Sequence, residues 1–146
     1  MKRVAEIIEG RPLVHAEASE KVRDVAKKMS DRNVGAVAVL DSGKLVGLFS
    51  ERDLMTRVVA PGLNPEKTAV SAVMTRNIVF AEPADDVESA LQKMYRVGCR
   101  HLPVVDRGNL VGMISLRDLL QIDDETNKEK ADFLNELVTY SPDYES

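Results

Sequence analysis

The sequence predicts an α/β (α+β) protein built from two tandem β-α-β-β-α repeats that pack with pseudo-twofold symmetry, plus a C-terminal helix. Three observations carry this prediction. Laid on itself with an offset of 65, the chain aligns Val14–Met55 with Val79–Leu120 without a gap; 16 of the 42 pairs are identical, where chance gives about three. Each copy holds two short β-branched runs around an Asp-x-Gly turn, AVAVLDSGKLVGLF and HLPVVDRGNLVGMI, which is a hairpin signal. Each also carries an apolar face at helical spacing.

The elements follow in order. Each copy opens with an extended piece, Leu13–His15 or Ile78–Phe80. A helix comes next, with Val22, Val25, Ala26 and Met29 on one face and Ser19 as a candidate cap in copy one, and Val87, Ala90, Leu91 and Met94 in copy two. The hairpin follows, and a final short helix opens at Ser50 or Ser115. Short segments VAEII and VSAVM precede the two copies, and VAPGLNPEKTA reads as a linker. The expected organisation is a first repeat over residues 1–60, a linker over 61–68, a second repeat over 69–121, and an acidic amphipathic helix and tail over 122–146.

Composition narrows the function classes. With 146 residues, 44% hydrophobic and 30% charged, the chain has the make-up of one folded unit. No apolar run is long enough for a membrane span and the N-terminus has no signal core, so a cytoplasmic protein is expected. One cysteine and two histidines cannot assemble a typical zinc set, so no metal is expected. Residues 122–146 carry net −6 and residues 1–121 net +2, which suits a small anion better than a nucleic-acid backbone.

The strongest chemical signal is GLFSERDL at residues 47–54 with its partner GMISLRDL at 112–119, sharing Gly-x-x-Ser-x-Arg-Asp-Leu. A strand turning into a helix there leaves first-turn N–H groups facing outward, where an anion is stabilised. Ser50 and Ser115 can donate to a phosphate oxygen, and Arg52 and Arg117 add a permanent planar cation. Asp53 and Asp118 would repel phosphate but accept well from a pair of hydroxyls such as a ribose diol. Phosphate on one side and ribose on the other make a nucleotide. Ser-x-x-Asp is equally a capping box, in which the aspartate reaches back to the serine amide. Capping does not require the arginine that both copies share.

At these residues the sequence resembles a CBS-domain pair, the cystathionine-β-synthase-type tandem also called a Bateman module. The resemblance spans about residues 4–121 and is most specific in VGAVAVLDSGKLVGLFSERDL, RHLPVVDRGNLVGMISLRDLL and VSAVMT. It implies adenosyl ligands (AMP, ADP, ATP, NAD or S-adenosylmethionine) in two related clefts. It also implies phosphate contacts from Ser50 and Ser115 and ribose contacts from Asp53 and Asp118. The base would lie against Val14, His15 and Ala16 with Val37 in one copy, and against Val79, Phe80 and Ala81 with Leu102 in the other. Each apolar member of this set is also a natural core residue. The copies differ: Ala36 and Ala38 stand opposite His101 and Pro103, and the opening segment of copy one is a residue longer.

Cys99, Arg100 and His101 suggest a thiol beside a base, but no third orienting group or glycine-rich oxyanion turn accompanies them. Arg100 or His101 would serve better in neutralising a ligand phosphate. The expectation is therefore a non-enzymatic regulatory module acting on an unidentified partner protein, set against a purely structural dimerisation protein with empty clefts. Leu54, Met55, Val58 and Val59, with Leu119, Leu120 and Ile122, make the last helices too apolar for solvent, so a homodimer is expected. In the tail Phe133, Leu134, Leu137, Val138 and Tyr140 recur at helical spacing, which suits packing on the same module or on a second chain.

Overall fold

The structure, a computed structural model, describes residues 2–121 and 135–136. The element order is α1 (Val4–Ile8), β1 (His15–Glu17), α2 (Val22–Arg32), β2 (Ala36–Asp41), β3 (Lys44–Ser50) and α3 (Glu51–Asp53), which runs into a π-helical turn at Leu54–Val59. A 3-10 turn at Val70–Ala72 precedes α4 (Val87–Val97), β4 (His101–Asp106), β5 (Asn109–Ser115) and α5 (Leu116–Leu120). The mixed α/β order expected from the repeat is present in both copies, except that the opening strand of copy two is reduced to a bridge at Ala81. The helix expected in the tail lies outside the described residues, apart from helical Asn135 and Glu136.

The chain divides into two compact units. The first-repeat unit comprises residues 12–78 and 108–110; the second-repeat unit comprises residues 2–11, 79–107 and 111–121 of the described chain. Residues 2–11 precede the first repeat in sequence but pack with the second.

In the first-repeat unit β1, β2 and β3 form a three-stranded sheet in that order, with β1 parallel and β3 antiparallel to β2. The β2–β3 turn holds Ser42 and Gly43 at φ 52° and 81°, as a two-residue hairpin matching strand twist requires. Val22, Val25 and Met29 of α2 pack with Val37, Val39 and Phe49 of the sheet into one buried cluster. The 70–74 segment closes it: Val70 N–H donates to the Glu20 carbonyl at 2.8 Å, and Thr75 and Leu48 exchange backbone bonds at 2.8 and 2.9 Å.

The second-repeat unit repeats this plan with α1 in the same role. Val4 N–H donates to the Asp85 carbonyl at 2.8 Å, and Val4 and Ile7 join Val87, Ala90, Leu91, Met94, Leu102 and Ile114 in the core. Its hairpin β4–β5 turns through Arg107 and Gly108 at φ 52° and 82°.

Both copies carry Leu-Val-Gly at the middle of the second hairpin strand because the closing segment crosses there. A Cβ at Gly47 would stand 2.6 Å from Met74 Sδ and 2.8 Å from the Thr75 carbonyl oxygen, and one at Gly112 would stand 2.9 Å from Ile8 Cδ1.

Several local expectations are corrected. The opening strand of copy one begins at His15, and in copy two only Ala81 bridges, to Val104; Ile78–Phe80 is not a strand. Ser19 does not cap α2, whose N-cap is Lys21 without a side-chain bond, whereas Asp86 accepts from Ser89 N–H at 2.8 Å to cap α4. Val58 and Leu119 are buried in their own units, which leaves Met55, Val59 and Leu120 as the exposed apolar positions of those helices. Among the described residues no helix is long and apolar enough to cross a membrane.

Candidate functional site

Each unit contains one strand-to-helix corner with serine, arginine and aspartate, and the local sequence accounts for its shape. Ser50 and Ser115 are extended N-caps, at φ −115° in both. Ser50 Oγ accepts from Asp53 N–H at 3.1 Å while Ser50 N–H donates to Asp53 Oδ2 at 3.0 Å. The matching bonds of Ser115 and Asp118 are 3.1 and 2.8 Å. The capping boxes anticipated from Ser-x-x-Asp are therefore made in both units.

Those bonds alter the expected anion site. Glu51 N–H donates to the Gly35 carbonyl at 2.9 Å and Leu116 N–H to the Arg100 carbonyl at 2.8 Å. Three of the four amides from the N-cap through the first turn are thus engaged at each corner. An anion at either corner would therefore meet mainly side chains: the Ser115 hydroxyl also bonds the Asp118 carboxyl, Arg52 is half-buried and Arg117 is exposed.

The aspartates differ in their surroundings. Asp53 is the one buried charged residue among the described residues, at 4% exposure. Thr75 Oγ1 lies 3.1 and 3.3 Å from its two oxygens, and Arg57 Nε lies 3.6 Å from Oδ1 while Arg57 Nη1 donates to the Met74 carbonyl at 3.0 Å. Asp118 has Arg11 Nη1 at 2.9 Å from Oδ2, the oxygen that also takes the Ser115 amide. The Ser115 hydroxyl is a further hydrogen-bond partner of this carboxyl. Burial opposes ionisation of Asp118, but the hydrogen bonds from Arg11 and Ser115 outweigh it and hold the carboxyl below the usual aspartate value.

The residues expected near a base divide by layer. Ala16 and Val37 in one unit, and Ala81 and Leu102 in the other, are fully buried core, so only their backbone is available to a ligand. Val14, Val79 and His15 are half-buried and Phe80 is exposed. His15 Nδ1 is buried without a hydrogen-bond partner, while Nε2 lies 3.4 Å from Glu17 Oε2. A pair of lysines absent from the sequence-based set holds these strands: Lys28 Nζ donates to the His15 carbonyl at 2.8 Å and to Glu20, and Lys93 Nζ to the Phe80 carbonyl at 2.9 Å and to Asp85. Their equivalent places in the two copies were a legible signal. Thr75, Arg57 and Arg11 were also missed; Thr75 ends the VSAVMT segment that carries part of the resemblance, while nothing local marks the two arginines.

His101 adjoins this corner. Burial lowers its pKa, the Asp118 charge pulls it upward, and Arg100 lowers it. Burial pushes the Cys99 thiol up to about 11, the reverse of what a nucleophile at neutral pH needs. Among the described residues no three His, Cys, Asp or Glu side chains gather as metal ligands.

Comparison with known proteins agrees with this architecture. The CBS-domain profile matches residues 4–60 and 70–125. The chain is 38% identical over 101 residues to the CBS domain-containing protein YhcV of Bacillus subtilis, covering 69% of this chain and 71% of that protein. It is 42% identical over 100 residues to the CBS domain-containing protein CBSCBSPB2 of Arabidopsis thaliana, covering 68% of this chain but 19% of that one. The chain thus spans about a fifth of that longer relative. Among solved structures, CBS domain protein PAE2072 from Pyrobaculum aerophilum, complexed with AMP, superposes with a TM-score of 0.77 at 29% identity, covering 94% of this chain and 99% of that one. A putative signal-transduction protein with CBS domains from Burkholderia ambifaria gives 0.78 at 30% identity, covering 87% and 98%. The doubled strand-to-helix corner, the repeat that frames it and these matches together place the chain in the CBS-domain family, with two CBS domains in tandem.

Proposed function

We propose that this protein is a regulatory module that binds adenosyl nucleotides at its Ser-x-Arg-Asp corners, breaks no bond, and passes occupancy to a partner protein by altering how that partner binds. Ser50 and Ser115 donate to phosphate, Arg52 and Arg117 balance its charge, and Asp53 and Asp118 accept from the ribose diol. AMP is the first ligand to test, because the similar PAE2072 structure is a complex with AMP. The observation that carries the proposal is the Asp118 carboxyl, partly withdrawn from water, held below the usual aspartate value, and with the bonds from Arg11 and the Ser115 amide both falling on Oδ2. Unpartnered His15 Nδ1 adds a second incomplete polar group, beside the strand where a base would lie. Association of two copies through Met55, Val59 and Leu120, exposed by 45%, 67% and 47%, is part of the same proposal, with sedimentation as its check.

A second reading has its own support. Both capping boxes are complete, so serine and aspartate have structural work without any ligand. A thermal-shift panel of AMP, ATP, NAD and S-adenosylmethionine separates the two. A ligand that binds only the native state raises the unfolding temperature with concentration. Such a rise supports the regulatory module; no rise with any of the four at millimolar concentration leaves the structural reading.

A further inference from the structure

The two aspartates are held by different kinds of partner, and the difference singles out Arg11. Asp53, with a side chain 6% exposed, is bonded on both oxygens by Thr75 and approached by Arg57, itself bonded to the Met74 carbonyl. Thr75 is part-buried, and Arg57, although 49% exposed, is tied through Nη1 to the Met74 carbonyl as well as approaching the carboxylate. Asp118, at 19%, is held by an arginine whose side chain is 42% exposed. Ion pairs of that exposure contribute little and exchange readily. Arg11 Nη1 and the Ser115 amide meet on the same carboxylate oxygen, at 2.9 and 2.8 Å. The guanidinium therefore already sits beside the hydroxyl that faces phosphate in the functional reading above, on which this inference rests.

We infer that Arg11 is the specificity-determining residue of the second-repeat unit: it holds Asp118 until a ribose diol takes the carboxylate, and then transfers to the ligand's phosphate. A diol needs acceptors on Asp118, and one of the two oxygens is shared with Arg11. A diol that engages both carboxylate oxygens displaces that bond. A nucleoside offers the displaced cation nothing, whereas a nucleotide offers phosphate oxygens in the geometry a planar guanidinium fits best. The result is selection for phosphorylated ligands by exchange of one cation between two anions. In the first-repeat unit Thr75 shares Asp53 with Arg57, whose guanidinium is also bonded to the Met74 carbonyl, so the exchange is assigned to the second-repeat unit.

Isothermal titration of the full chain with AMP and with adenosine tests it, on the wild type, Arg11→Gln and Arg11→Lys. Arg11→Gln is expected to weaken AMP about tenfold, the loss of a charged hydrogen bond, and to tighten adenosine about threefold, the release of an exposed pair. Arg11→Lys keeps the charge and should retain most of the AMP affinity. Unfolding midpoints close to the wild type confirm that the variants are folded. Equal shifts for the two ligands, or none for either, in a protein that binds AMP overturn the role of Arg11 and leave the nucleotide reading standing. If the wild type binds neither ligand, the nucleotide reading fails and Arg11 falls with it.

Discussion

The two corners carry the same residues on the same backbone, yet one is sealed and the other is poised. Ser50 and Ser115 cap alike, and the carbonyls of Gly35 and Arg100 accept the next amide alike. What differs is what reaches the carboxylate: the Thr75 hydroxyl and an arginine also bonded to the Met74 carbonyl at Asp53, and Arg11 at Asp118. The second-repeat unit also has Arg100 and His101 where the first has Gly35 and Ala36. A duplicated sequence can thus hold two equivalent aspartates with different partners, because the difference lies in residues outside the repeated motif.

The largest expected effect sharpens that contrast through the glycines. At Gly47 an added methyl meets the Thr75 carbonyl oxygen at 2.8 Å as well as Met74 Sδ, and backbone cannot step aside; at Gly112 it meets only the Ile8 side chain. Gly47→Ala should cost about 3 kcal/mol and Gly112→Ala about 1 kcal/mol in urea denaturation. Equal losses would mean that the two closing segments yield equally.

Next in size is the exchange of each aspartate for asparagine. Asp53→Asn should cost about 2 kcal/mol of stability, because the part-buried Thr75 hydroxyl and Ser50 amide lose an acceptor oxygen at a buried side chain. Asp118→Asn should cost about 1 kcal/mol and appear mainly as weaker AMP binding. The reverse ranking would break the distinction between a sealed and a poised corner. Thr75→Val is the milder probe of the same claim, with an expected loss of about 1 kcal/mol and unchanged AMP affinity.

Much of this was legible in the sequence, and the gaps have physical causes. The duplication, both hairpins, the α2 and α4 faces and the Ser-x-x-Asp corners are local patterns, and each reappears as an element. The packing of residues 2–11 with the second repeat is not local: VAEII is too short to show a period, and its place is set by backbone bonds to Pro83 and Asp85. Arg11 lies 107 residues from Asp118 and Thr75 lies 22 from Asp53, separations at which no spacing rule operates. Ser19 looked like a cap because its type suits one, but α2 begins two residues beyond the reach of that reading, after Lys21. The lysines that hold the opening strands were readable as the identical pair Lys28 and Lys93, and only their carbonyl targets needed the fold.

Smaller effects appear with pH. Asp118 is depressed in the folded state, so its contribution to stability is complete above the ordinary aspartate range and is lost as pH falls through the lowered value. Arg11→Gln should flatten that acid limb while leaving the unfolding midpoint at neutral pH close to the wild type. His101, also depressed, gives stability that declines once pH drops below about 6.5, where the unfolded chain binds the proton first. His101→Gln should remove that limb, and the first-repeat unit, with Ala36 at the equivalent position, has no such term. The smallest effect belongs to Cys99: with its thiol pushed up to about 11, it should resist iodoacetamide at pH 8 in the folded protein and react on unfolding. Rapid alkylation of the native chain would restore a reactive-thiol reading.

The central claim is that Asp118 grips a ribose diol, and it is tested most directly by titrating wild type and Asp118→Ala with AMP and with its 2′,3′-dideoxy analogue. The account predicts that the wild type binds AMP more tightly than the analogue by about 1.5 to 3 kcal/mol and that Asp118→Ala erases this preference by weakening AMP alone. Equal affinity of the wild type for the two ligands, or equal losses for both in Asp118→Ala, would show that the carboxylate serves only the fold.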